Sequence, residues 1–152
     1  MSTFTIHRAN SSDIEKLLDI CKEYHQFEEL ELTDSHRENA LQQLLKDESL
    51  GFILMARSDN ITIGYIAICL GYSIELGGRD AYIDEFYIHQ TSRSHGIGTA
   101  LLNAAVDILS TVHIVALHME VSQYNLKAKD FYRSRGFEAR DRYFLMTKRI
   151  DK

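Results

Sequence analysis

The 152-residue sequence contains no proline and no tryptophan, two absences that carry no functional reading of their own. The scarcity of cysteine says more. Cys21 and Cys69 lie far apart in no C-x-x-C spacing, so neither a zinc site nor a redox pair is suggested, and a reducing cytosol fits. No apolar run approaches the roughly 18 residues a membrane span requires, and the start, Met1 to Arg8, lacks the basic and apolar regions of a secretory signal. The expectation is a cytoplasmic protein with no membrane partner. An excess of positive charge is also missing. The 17 Lys and Arg against 22 Asp and Glu leave a formal net charge of -5, which argues against nucleic acid because counterion release needs a clustered basic surface. The seven histidines form no H-E-x-x-H or similarly tight set, and no metal site is expected.

What is present describes an ordinary globular chain, 45% hydrophobic and 26% charged. A chain of this length buries roughly 68 to 70% of its unfolded surface, so a single domain over residues 1–152 is expected. Phe4 to Arg8 alternate as a short strand, and Ser12-Asp13-Ile14-Glu15 has the form of a capping box. The helix it opens carries Ile14, Leu17, Leu18, Cys21 and Tyr24 on one stripe as far as about His25. A second box, Ser35 to Glu38, predicts a helix with Leu41, Leu44 and Leu45 inward, ending near Asp47. Gly51–Arg57 and Ile61–Leu70 flank Asp59-Asn60 as a tight hairpin, the second strand reaching toward Glu75. Ala81–His89 is the next strand, then come a polar loop, a helix from about Gly98 to Ser110, and a strand from His113 to Val121. A helix from Asn125 to Arg135 stops at Gly136, and Phe137–Arg140 with Arg142–Lys148 form a closing strand pair. This order predicts an α+β fold of three layers, α/β/α: a mixed, mostly antiparallel sheet of about seven strands with helices on both faces.

The strongest chemical signal is Arg93-Ser94-His95-Gly96-Ile97-Gly98-Thr99, between a strand and an apolar helix. Glycines at 96 and 98 let backbone N–H groups converge without Cβ obstruction, and the helix start adds a positive dipole end, an arrangement suited to a pyrophosphate. A G-x-G alone is equally compatible with a helix start that binds nothing. A Rossmann site would want a third small residue where Leu101 stands and its first glycine directly at the strand's end, so that reading fails twice, although Glu120 falls at a suitable distance.

Arg93-x-x-Gly96-x-Gly98 resembles the acyl-CoA pyrophosphate loop of the GNAT superfamily of N-acetyltransferases. Upstream, Tyr82-Ile83-Asp84-Glu85-Phe86-Tyr87-Ile88 is similar to that family's fourth strand. Downstream, Asn125-x-x-Ala128-x-x-Phe131-Tyr132-x-x-x-Gly136-Phe137 is similar to its second cofactor motif. Gln90 and Ser94 depart from it, where many members have proline and glycine. The resemblance implies a GNAT-like fold and acetyl-CoA as cofactor. It implies that backbone groups of Phe86, Tyr87 and Ile88 pair with the pantetheine amides. Arg93, Ser94, His95, Gly96, Ile97, Gly98 and Thr99 would hold the pyrophosphate, and Asn125 would contact the pantetheine arm. Tyr132 is implied beside the thiol sulfur as the acid for the departing thiolate, the alternative being a core aromatic. An ammonium with pKa near ~10.4 must lose a proton before it attacks, and Glu85 is the leading base, directly or through water. Glu120 and Asp84 are the fallbacks, and a solvent-facing carboxylate is the alternative reading of Glu85. Alternation puts Asp84 and Glu85 on opposite faces unless a bulge intervenes. A backbone N–H near Ile88 is implied for the oxyanion.

Acceptor choice in that family comes from the least similar stretch. Glu23, Glu28, Glu29, Glu31 and Asp34 concentrate negative charge that would attract a polyamine, an aminoglycoside or a lysine side chain, although a solvated acidic loop explains them as well. Three functions follow: a small-amine acetyltransferase, a protein or peptide acetyltransferase, or a non-catalytic acyl-CoA sensor. Members of the family often form homodimers, so the resemblance makes a homodimer one possible assembly, while the sequence itself leaves the oligomeric state open.

Overall fold

The computed structural model describes residues 3–151, which fall into two compact units, Met1–Met119 and Glu120–Lys152. The first unit holds a five-stranded sheet in the order β1 (Thr5–Arg8), β2 (Gly51–Ser58), β3 (Ile61–Ser73), β4 (Gly78–Ile88) and β5 (Ala116–Met119). The first three joins are antiparallel, whereas β5 runs parallel to β4. The parallel join follows from the chain path, because α3 (Ile97–Thr111) lies between the two strands and serves as the crossover a parallel pair needs.

Strand alternation separates two cores. Ile53, Met55, Tyr65, Ala67 and Tyr87 join Leu17, Ile20 and Cys21 of α1 (Ile14–Phe27) and Leu41 of α2 (Asp34–Lys46) in one buried cluster. Residues of opposite parity, including Phe52, Leu54, Ile66 and Ile68, are buried too, and α3 packs across β1 to β4. Both faces of β2 and β3 are covered by helices, which explains why their sequences are almost continuously apolar. The hairpin turn is as expected: Asp59 and Asn60 adopt φ of 48° and 64°, the left-handed pair that matches strand twist.

Several boundaries differ. The first cap is Asn10, whose Oδ1 accepts from the Ser12 N–H at 2.9 Å while Asp13 Oδ2 accepts from the Asn10 N–H at 2.9 Å, and it opens a short 3₁₀ turn that runs into α1. The expected Ser12–Glu15 box is displaced because an equally good cap stands two residues earlier. Thr33, whose Oγ accepts from the His36 N–H, likewise caps α2 in place of Ser35. The fifth strand is shorter than expected because His113 and Ile114 end α3. His113 takes φ of 60°, and the N–H of Ile114 returns to the Leu109 carbonyl.

The sheet has five strands among the described residues, not about seven. In the second unit, which holds α4 (Leu126–Arg133), residues 137–151 form no ladder; the Tyr143 N–H to Arg140 carbonyl contact makes only a turn. Alternating apolar residues become a strand only when their backbone groups find a neighbouring strand, and Phe144 and Met146 are exposed here. Gly136 takes φ of 89° just beyond α4, the left-handed position expected of it.

Candidate active site

The sheet is interrupted where the candidate base lies. Ala67 pairs with Glu85 and Ile68 with Ile83, which leaves Asp84 as an extra residue without a partner on β3. The bulge cancels the alternation that would separate the two carboxylates. Both stand within electrostatic reach of His25 and Cys69. Beyond the bulge β4 continues to Ile88, whereas its pairing with β5 stops at Ile83 and Met119. Phe86, Tyr87 and Ile88 pair with Ile66, Tyr65 and Gly64 on one side, and no strand among the described residues pairs with them on the other. That edge can accept an extended, amide-bearing ligand as an added strand.

Glu85 is held by side chains that sequence reasoning did not single out. Tyr65, fully buried on the adjacent strand, donates its hydroxyl to Oε1 at 2.9 Å. His25, buried near the end of α1, places Nε2 at 2.5 Å from Oε2. Behind it the Nε–H of Arg37 donates to His25 Nδ1 at 3.0 Å. Arg37 is 4% exposed, and its remaining donors reach Asp34 Oδ1 at 2.8 Å and the Leu32 carbonyl at 3.3 Å, so the buried cation is compensated. A signal for both residues existed. His25 falls one turn beyond Cys21 on the buried stripe of α1, and Arg37 one turn before Leu41 on that of α2. A polar residue in phase with a core stripe asks for a buried partner.

Burial pushes the Glu85 carboxyl above its ordinary value, reinforced by the Asp84 charge and opposed by the hydrogen bonds from His25 and Tyr65. Surrounding protein also raises Asp84, against the pull of His25, although the side chain stays open to solvent. A raised carboxyl is a stronger base, which suits a proton acceptor. Glu120 stands exposed just past β5, in the second unit. Burial drives the Cys21 thiol to about 12 and the Cys69 thiol to about 11, so neither is a thiolate at neutral pH.

The glycine loop leaves β4 through a 3₁₀ turn, Gln90–Ser92, capped by His89. Ser94 and Gly96 take φ of 67° and 79°, and no atom lies within 4 Å of where a Gly96 Cβ would stand. Gly96 is the N-cap of α3 and offers no side-chain acceptor to the first helical turn, an arrangement that suits an anion. Ser94 and His95 are exposed and Ile97 is buried; Gly98 and Thr99 belong to the first turn. The Arg93 side chain does not extend along the loop. Its Nε donates to the Ile88 carbonyl at 3.0 Å, and its guanidinium lies over the Phe27 and Tyr87 rings, bracing the end of β4.

In the second unit, Asn125 caps α4, its Oδ1 accepting from the Ala128 N–H at 3.1 Å. Tyr132 packs edge-on against Phe131 and Phe137, and burial pushes its hydroxyl to about 12. Among the described residues no group of three or more His, Cys, Asp or Glu could hold a metal ion, and no helix is long and apolar enough to cross a membrane.

Known proteins resemble this chain in sequence and fold. Residues 14–137 match the acetyltransferase (GNAT) family. The human spermidine/spermine N(1)-acetyltransferase-like protein 1 is 26% identical over 147 residues, covering 90% of this chain; the chain spans about a fifth, 21%, of that relative's length. An integron cassette protein from the mobile metagenome of Cole Harbour Salt Marsh superposes with a TM-score of 0.85 at 25% identity, over 97% of this chain and 91% of that one. The aminoglycoside N-acetyltransferase AAC(6')-Iy, solved with CoA, superposes with a TM-score of 0.84 at 16% identity over 99% and 97% of the two chains, a likeness of fold.

Proposed function

This chain belongs to the GNAT family of acetyltransferases, and on that premise we propose that it transfers an acetyl group from acetyl-CoA to a small cationic amine, with Glu85 as the base. The observation that carries the reading is the Glu85 carboxylate itself, raised by burial and held at both oxygens beside an open strand edge. The N-terminus of α3, without a side-chain cap and with open space at Gly96, fits the diphosphate of CoA, and the end of β4 beyond its pairing with β5 fits its amides.

Acetyl-CoA supplies the acyl group as a thioester. Glu85 would take a proton from the ammonium of the acceptor, the amine lone pair would form the C–N bond as the C–S bond breaks, and the second nitrogen proton would leave to the departing thiolate or to water. The motif resemblance assigns Tyr132 to the departing sulfur. With its hydroxyl near 12 and a CoA-type thiol near ~8.5, full proton transfer to the thiolate is uphill, so its contribution is a donated hydrogen bond. Two protonated thiols, Cys21 buried and Cys69 half-buried, favour direct attack over an acyl-cysteine route.

Acceptor charge is supported by the exposed Glu28, Glu29 and Glu31 between α1 and α2, and by two similar proteins, one named spermidine/spermine N(1)-acetyltransferase-like and one named an aminoglycoside N-acetyltransferase. Asp34, from the same acidic stretch, is engaged by Arg37 and Lys22. The test is release of free CoA from acetyl-CoA across polyamines and aminoglycosides. Amine-dependent release is expected; tight acetyl-CoA binding with no release across the panel would overturn the small-amine reading.

A further inference from the structure

We propose that Arg37 is a positioning residue that acts through His25: by donating Nε–H to Nδ1, it commits the imidazole to carrying its proton on Nε2, aimed at Glu85. The inference rests on the reading of Glu85 as the base.

The assignment follows from donor chemistry. A guanidinium is always protonated and has donors only, so the nitrogen it contacts at 3.0 Å must be the acceptor. In a neutral imidazole the other nitrogen is then the donor, which makes the 2.5 Å contact an Nε2–H hydrogen bond to Oε2. The guanidinium cannot swing away easily, since Asp34 and the Leu32 carbonyl hold its other end.

The consequence concerns what kind of partner Glu85 has. An imidazole free to choose its tautomer could turn a lone pair toward the carboxylate. Arg37 disfavours that by occupying Nδ1. Glu85 is left between two donors, His25 Nε2–H and the Tyr65 hydroxyl. The groups around this cluster include Tyr24 and Cys21 of α1, Cys69 of β3 and Asp84 of β4.

The decisive measurement is ¹⁵N NMR of the histidine side chains in the intact protein, with His25 assigned by its loss in His25→Gln. The neutral ring is expected to carry its proton on Nε2. A neutral ring protonated on Nδ1 in wild-type protein would overturn the inference. In the kinetic arm, Arg37→Met should lower kcat about 10- to 100-fold and move the acid limb of its pH profile, leaving the KM for acetyl-CoA near wild type. His25→Gln, whose amide oxygen can accept from Arg37 and whose NH₂ can donate to Glu85, should lose less than His25→Leu. A folded Arg37→Met enzyme with unchanged kcat and profile would also overturn it. If Glu85→Gln kept wild-type turnover while His25 showed the Nε2–H tautomer, the base reading would fall and the tautomer assignment would stand.

Discussion

The glycine loop and the Glu85 cluster sit at the two ends of one stretch of chain, β4 into α3, and are built in opposite ways. The loop is exposed and made of backbone. Its shape depends on left-handed φ at Ser94 and Gly96 and on helical N–H groups left without a side-chain cap. The Glu85 cluster is mostly buried and made of side chains that lie 12, 20 and 60 positions apart in sequence. The difference teaches where each is fragile. A backbone cradle fails when one dihedral is denied it. A buried polar chain fails at any link, because the partner left behind cannot turn to water.

Removing the carboxylate should have the largest effect. General bases contribute about 10²- to 10⁴-fold, so Glu85→Gln should lower kcat by about that much while leaving acetyl-CoA affinity largely unchanged. In wild type the carboxylate must be ionised to accept a proton. Because its folded value is raised, activity should climb with pH along a limb lying above the ordinary glutamate value of 4.5, and Glu85→Gln should lack that limb. Matching pH profiles for the two enzymes would separate Glu85 from the chemistry.

The same contrast explains what the sequence could disclose. The loop is contiguous, so its spacing was readable as a motif. The hairpin turn and the left-handed Gly136 were readable too, since each is a local backbone demand. The cluster depends on register and helix phase: Glu85 meets Tyr65 because β3 and β4 pair with one residue extra, and meets His25 because α1 lies on that face. A bulge leaves no mark in alternation until the pairing is known, which is why Asp84 and Glu85 were expected on opposite faces. His25 and Arg37 were hidden for another reason: residues in a core stripe are scanned for apolarity, and these two are polar. The closing strand pair was overread because alternation at Phe144 and Met146 does not supply a neighbour.

The loop is broken by a smaller change. Gly96→Val adds a β-branched side chain into open space, so no clash arises, but φ of 79° is strained for it by about 1 to 3 kcal/mol. Either the loop pays that strain or it moves, and acetyl-CoA affinity by calorimetry should fall about 5- to 150-fold, with turnover at saturating cofactor little altered. Loss of kcat without loss of affinity would mean that the loop does not hold the cofactor.

Cys69→Ala should do least, and its value lies in separating two routes. Cys69 is half-buried on β3, opposite Tyr82 and within electrostatic reach of Asp84 and Glu85, where burial and those two charges drive its thiol to about 11. A covalent route through this sulfur needs a thiolate, and at pH 7 a thiol near 11 offers about one part in 10⁴. Direct attack by the amine needs no cysteine, so kcat for Cys69→Ala should stay within about twofold of wild type, since a single small truncation at a partly exposed site perturbs little. Loss of turnover in folded Cys69→Ala, or a burst of CoA release before any amine is added, would instead require an acyl-enzyme. Retained turnover with no burst leaves Glu85, and the chain of donors behind it, as the place where the acceptor's proton goes.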